Sequence, residues 1–159
     1  MESNSLDKII SLKKEKLNSL KKQFKIDDLK IKIDKFKKYF DFKRSIENNV
    51  SQGKISLIAE IKKASPSAGI IVENYNPLDI ASIYEKNKAT CLSVLTEEDF
   101  FLGNLIHISK IKKSISLPIL CKDFFIDKFQ VYLARSYGAD AILIILAGVS
   151  DEVANILYE

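Results

Sequence analysis

From Ile55 onward, apolar β-rich runs alternate with amphipathic stretches, and this order constrains the fold more than any single residue does. The runs are Ile55–Ile61, Cys91–Leu95, Leu117–Cys121 and Ala141–Leu146. The stretches between and after them are Pro77–Asn87, Asn104–Ser114, Asp127–Tyr137 and Ser150 onward. Strands separated by helices run parallel and need cover on their faces, so the class is α/β, either an open doubly wound sheet or a (β/α) barrel. With 159 residues, 47% of them hydrophobic, the chain can build one domain with a real core. No glycine fingerprint of the GxGxxG or GxxxxGK[ST] kind follows any strand, so nucleotide binding through those motifs has no support.

Charge divides the chain in two. Met1–Asn48 carries 14 Lys+Arg against 8 Asp+Glu, and the remainder 11 against 13, so +6 and −2 make the net +4. The basic part reads as helix in "LDKIISLKKEKLNSLKKQF", where Leu6, Ile9, Ile10, Leu17, Leu20 and Phe24 recur at helical spacing. Further on, alternation at Leu29, Ile31 and Ile33 fits an extended segment as well as a helix, and another helix is expected near Asp41–Asn48. A basic helix suits nucleic acid or an anionic membrane. It suits equally a solvated face whose apolar stripe docks on the domain, the reading favoured here. No run of eighteen apolar residues and no signal peptide occurs, so a cytoplasmic protein without a membrane partner is expected. Cys91 and Cys121 lie inside apolar strand patterns and read as core thiols; no metal site is indicated. His107, the only histidine, has no partner nearby in sequence.

The period of two then sorts the strands. In "LIAEIKKASPSAGII", Ile58, Glu60 and Lys62 share one face, and Leu57, Ala59 and Ile61 share the other. The apolar face suits covering helices. The mixed face, with its charges toward the C-terminal end, suits the mouth of a barrel, where strand ends and βα loops carry chemistry. On the third strand Pro118, Leu120, Lys122 and Phe124 share a face, and Lys122 again lies at the C-terminal end. Two lysines and a glutamate are thus expected to converge. Charges on an inward parity are costly unless paired or used.

The stretch "IAEIKKASPSAGII" resembles the signature of the indole-3-glycerol phosphate synthase family. "LSVLTEEDFFLG", "LPILCKDFFID" and "SYGADAILIILA" resemble its second, third and fourth strands with their loops, and "LDKIISLKKEKL" and "FDFKRSI" resemble its N-terminal segment. The resemblance implies a TIM-type (β/α) barrel. It also implies a cofactor- and metal-free ring closure of 1-(2-carboxyphenylamino)-1-deoxyribulose 5-phosphate to indole-3-glycerol phosphate, with release of carbon dioxide and water, in tryptophan biosynthesis. Carried over to matching positions, it makes Lys122 the general acid, with Glu60 organising the site and Lys62 contacting the anionic groups of the phosphorylated substrate. Ser65 lies near the phosphate, in a loop held by Pro66. Phe101, Phe124 and Leu143 line the anthranilate pocket, and Ser93 and Leu95 point inward from the second strand. A buried lysine beside another cation and an apolar wall makes a better proton donor near neutral pH.

A barrel of this type needs eight strands and about 250 residues. The chain therefore reads as an N-terminal helical extension over residues 1–50 and the first four βα units, half a barrel, over 55–159. The missing half would supply a second catalytic carboxylate, an asparagine and the phosphate-binding loops, so the chain alone is expected to be inactive. A complete barrel would be monomeric or fused to another enzyme of the pathway. Two other readings stand beside this one: a half-barrel that pairs with its own copy, and a non-catalytic module binding phosphate or nucleic acid.

Overall fold

The structure is a computed structural model that describes residues 5–159; residues 1–4 of the expected extension lie outside the described residues. Three helices come first: α1 (Ser5–Gln23), α2 (Ile26–Lys35) and α3 (Phe42–Ser51). Then follow β1 (Ile58–Ile61), a short hairpin of β2 (Ala64–Ser65) and β3 (Gly69–Ile70), α4 (Pro77–Lys86), β4 (Cys91–Leu95) and α5 (Ile106–Ser114). The chain continues through β5 (Ile119–Lys122), α6 (Lys128–Ser136), β6 (Ala141–Ile142), a 3₁₀ turn (Leu146–Gly148) and α7 (Asp151–Tyr158). Strands β1, β4, β5 and β6 form one parallel sheet in that order. The α/β class is therefore right, and each strand lies beside its predecessor, without the order reversal of a doubly wound sheet.

Local chemistry explains where the helices start. Asp41 accepts a hydrogen bond from Arg44 N at 2.9 Å to open α3, and Asn76 accepts from Leu78 N at 3.1 Å before Pro77 in α4. Asn104 accepts from Ile106 N at 2.9 Å, and Asp127 and Gln130 form a reciprocal capping box on α6. Segment 29–33 is helical: Leu29 is 3% exposed whereas Ile31 is 52% exposed, a difference that a helix dictates once one side docks.

Three of the expected strands are shorter, the third only because it starts at Ile119 and ends at Lys122. Ile55–Leu57 is not strand, because this approach to the edge of the sheet has little to pack on; Ile55 is 94% exposed. Beyond Ile142, residues expected to extend the fourth strand find no ladder partner, and the chain turns into the 3₁₀ segment.

The core lies between the helices and one face of the sheet. Ala59, Ile61, Leu92, Val94, Ile119 and Cys121 pack on Ala81, Ile108, Ile111 and Ala134. Five of these isoleucine and leucine side chains are fully buried, each worth about 1.5–3 kcal/mol relative to exposure. Both cysteines are free and buried, as their patterning predicts. A smaller cluster docks the N-terminal helices, where Leu17 and Leu29 meet Phe129 and Leu133 of α6.

At the N-terminal ends of the strands a buried carboxylate ties the segments together. Asp140 takes Lys112 Nζ at 2.5 Å, Ile119 N at 2.7 Å and Phe40 N at 2.8 Å. The side chains of Lys112 and Asp140 are 1% and 0% exposed, and the ammonium also lies 4.2 Å from the centre of the Phe40 ring. Burial pulls the Lys112 pKa down more strongly than its hydrogen bond to Asp140 raises it. Truncating one partner leaves the other buried charge alone. Lys112→Met should lower the unfolding free energy measured in urea by about 3–5 kcal/mol, whereas Lys43→Met, in the exposed Lys43–Glu47 pair, should leave the urea midpoint in place.

Candidate active site

The strand register puts the predicted residues on one face. Glu60 pairs in register with Ser93, Ser93 with Leu120, and Leu120 with Ala141; one step further up, Leu95 pairs with Lys122. This is the face away from the helical core, and its charged groups cluster at the C-terminal ends of the strands, where parallel α/β sheets bind ligands. Lys62 directly follows β1 and reaches Glu60 Oε1 at 2.7 Å, and Lys122 donates from β5 to Glu60 Oε2. The expected convergence of two lysines on one glutamate is therefore present. Tyr84 of α4 donates to the Glu60 carbonyl oxygen at 3.1 Å and fixes the strand beneath it.

All three charged heads remain open to solvent, with the side chains of Glu60, Lys62 and Lys122 29%, 31% and 38% exposed. Here the sequence reading needs correction: Lys122 is not sealed behind an apolar wall beside a bare cation, because Glu60 faces it directly. Burial pushes the Glu60 carboxyl up, but the hydrogen bonds and charges of Lys122 and Lys62 together outweigh burial and hold it below the ordinary glutamate range. One carboxylate between two ammoniums leaves a single positive charge, which suits an anionic ligand.

The apolar wall comes from two loops. Phe101 follows β4 and Phe124 follows β5, and their rings meet at 6.3 Å between centroids. Leu95 is buried on the same face, and Leu143 lies half-buried just past β6. The Ser93 hydroxyl is buried and finds no hydrogen-bond partner among the described residues. Ser65 stands apart from the charged heads, in the β2–β3 hairpin; its hydroxyl accepts from Ala68 N at 3.2 Å, and Pro66 is exposed at the tip. His107 lies outside the cluster, edge-on to Tyr75 with ring centroids 5.5 Å apart.

Sequence reasoning missed two acids that organise this end. Glu97, 1% exposed, accepts from the backbone N–H groups of Asp99, Phe100 and Phe101 and so shapes the loop that carries Phe101. Gly103 closes that loop against β4: a Cβ there would lie 2.4 Å from the Leu95 carbonyl oxygen. Asp123, beside Lys122, accepts from Phe124 N at 2.8 Å and Thr96 Oγ1 at 2.7 Å and pairs with Lys13 of α1. The available signal was an acid within two residues of the ends of β4 and β5, at the point where turn N–H groups lack partners.

Comparison with known proteins gives the family. The family model described as indole-3-glycerol phosphate synthase matches residues 6–159. The chain belongs to the indole-3-glycerol phosphate synthase family. A relative of that name from Prochlorococcus marinus subsp. pastoris is 46% identical over 149 residues, covering 94% of this chain and 50% of the relative. One from Trichodesmium erythraeum is 40% identical over the same shares, and one from Aliarcobacter butzleri is 42% identical over 97% of this chain and 59% of its own length. The chain thus spans about half the length of the curated relatives it matches. Among the described residues no helix is long and apolar enough to cross a membrane.

The lowered Glu60 pKa has a stability consequence of definite sign. A carboxyl whose folded pKa lies below its unfolded one stabilises the fold fully above the unfolded value, and that contribution disappears as pH falls through the folded one. A ¹³C titration of the Glu60 carboxyl should therefore find its midpoint below the ordinary glutamate range, and Lys62→Met together with Lys122→Met should move the midpoint up.

Proposed function

We propose that this chain supplies the first four βα units, residues 55–159, of an indole-3-glycerol phosphate synthase barrel, with residues 1–50 as its helical extension. The barrel closes the ring of 1-(2-carboxyphenylamino)-1-deoxyribulose 5-phosphate. The observation that carries this reading is the convergence of Lys62 and Lys122 on Glu60 beside the Phe101–Phe124 wall. The roles follow from the chemistry. The ring carbon bearing the carboxylate attacks the ketone carbon, and Lys122 gives its proton to the carbonyl oxygen that becomes a hydroxyl. Departure of carbon dioxide restores the aromatic ring. Loss of that hydroxyl as water, with a second proton delivered to it and one proton released from the neighbouring methylene carbon to a base of the completed barrel, forms the indole double bond.

Lys62 holds the substrate's anionic groups, and Glu60 keeps both ammoniums in place until the substrate arrives. The two phenylalanines with Leu95 and Leu143 receive the benzene ring. Ser93 faces the ring from β4, and the hairpin of Ser65 and Pro66 lies on the phosphate side. No cofactor or metal is needed for this sequence of steps.

Four parallel strands with open edges at β1 and β6 do not enclose a substrate, so this chain alone is inactive under the proposal. Exposed Ile55, Leu57 and Ile58 beside the β1 edge support association with a completing half, or with a second copy in its absence. Co-expression with the C-terminal half of the Aliarcobacter butzleri relative should yield a complex that forms indole-3-glycerol phosphate, followed by indole fluorescence. Lys122→Met should lower turnover by roughly 10²–10⁴-fold. A well-folded complex that leaves the substrate unconsumed would overturn the proposal.

A further inference from the structure

Helix α1 reaches the site from outside the sheet. Lys13 pairs with Asp123 Oδ1 at 2.6 Å, and the two side chains are only 13% and 11% exposed. The same helix places Lys16 near Asp99 at 2.7 Å and Glu98 at 3.3 Å, but those side chains are 35–52% exposed, where ion pairs contribute little. The less exposed pair is different because Asp123 also accepts from the turn that follows Lys122 and from the end of β4. Its Oδ1 takes Phe124 N, its Oδ2 takes Thr96 Oγ1, and Thr96 N in turn donates to the Lys122 carbonyl oxygen at 3.1 Å. Asp123 thus locks β5 to β4 at the level of Lys122, and Lys13 supplies the only ammonium paired with it among the described residues.

We propose that Lys13 is a positioning residue for Lys122, acting through Asp123: the N-terminal helix provides the counter-charge that holds the strand end aiming the lysine at Glu60. The inference rests on the reading of Lys122 as the acid of the site, but its test does not depend on turnover. In the whole chain with lysines ¹³C-labelled at Cε, Lys13→Met should shift the Lys122 resonance and leave that of Lys112, paired with Asp140 at the opposite end of the strands, unchanged. Amide exchange at Phe124 should speed up by about tenfold or more, as expected for a weakened charge-assisted hydrogen bond, while Ile119 keeps its rate. Lys13→Arg should restore both signals, which a purely apolar role of the lysine stem would not require, and Lys16→Met should change neither. If Lys13→Met leaves a lone buried carboxylate and does not fold, Lys13→Met with Asp123→Asn removes that charge, and the displaced Lys122 resonance should persist in the double variant. A Lys122 resonance at its wild-type position in folded Lys13→Met, or in the double variant, would overturn the proposal. Failure of the reconstituted barrel to turn over with Lys13 and Lys122 both intact would instead count against the assigned reaction alone.

Discussion

The architecture depends on one buried carboxylate. Asp140 receives groups from the N-terminal segment, from α5 and from the start of β5, and Arg135 of α6 stands 3.8 Å away. Taking an acid and an ammonium out of water costs about what their attraction returns, so the pair is no large source of net stability. Its consequence is geometric. Four segments that could slide past one another on apolar contacts alone must meet at one point, since any other register leaves a buried charge without partners. Tyr39 adds to this lock, its ring stacked under the Arg135 guanidinium at 3.2 Å and its hydroxyl donating to the Arg135 carbonyl oxygen.

The same two residue types, lysine and an acid, meet at both ends of the sheet, and exposure separates them. At the N-terminal end Lys112 and Asp140 are sealed, so no ligand can take either partner. At the C-terminal end Glu60 and its two lysines keep about a third of their surface in water, so an incoming anion can displace one contact without abandoning a buried charge. A structural pair is one that cannot open. A pair that binds must be able to exchange partners.

This difference explains what could be read from the sequence. Strand parity is strict, so spacing alone places Glu60, Lys62 and Lys122 on one face. Helix against strand at Leu29–Ile33 could not be decided, because a few alternating residues fit both periods until docking buries Leu29 and exposes Ile31. The short β6 was equally hidden, since a β-rich run becomes strand only where a neighbour completes the ladder. Least visible were Asp140 and Asp123. Each looks like an ordinary loop acid, and its meaning lies in a lysine that only tertiary folding brings near: Lys112 for one, Lys13 for the other.

The charge imbalance of the sequence finds part of its physical account in the same contacts. The excess of lysine before Asn48 and the excess of acid after it are complementary parts of one surface: Lys13, Lys16 and Lys21 of α1 meet Asp123, Asp99 with Glu98, and Asp127, all in loops beyond the C-terminal strand ends. Those three lysines are engaged within the chain and so give no support to a nucleic-acid surface. The apolar stripe of α1 fixes where the helix lies, through Leu17 and Leu20 on α6, and the lysines then fix which loops it holds. Lys13 does so with much less exposure than Lys16 or Lys21. The helix therefore does more than cover the sheet: it completes the electrostatics of the strand end from which Lys122 reaches Glu60.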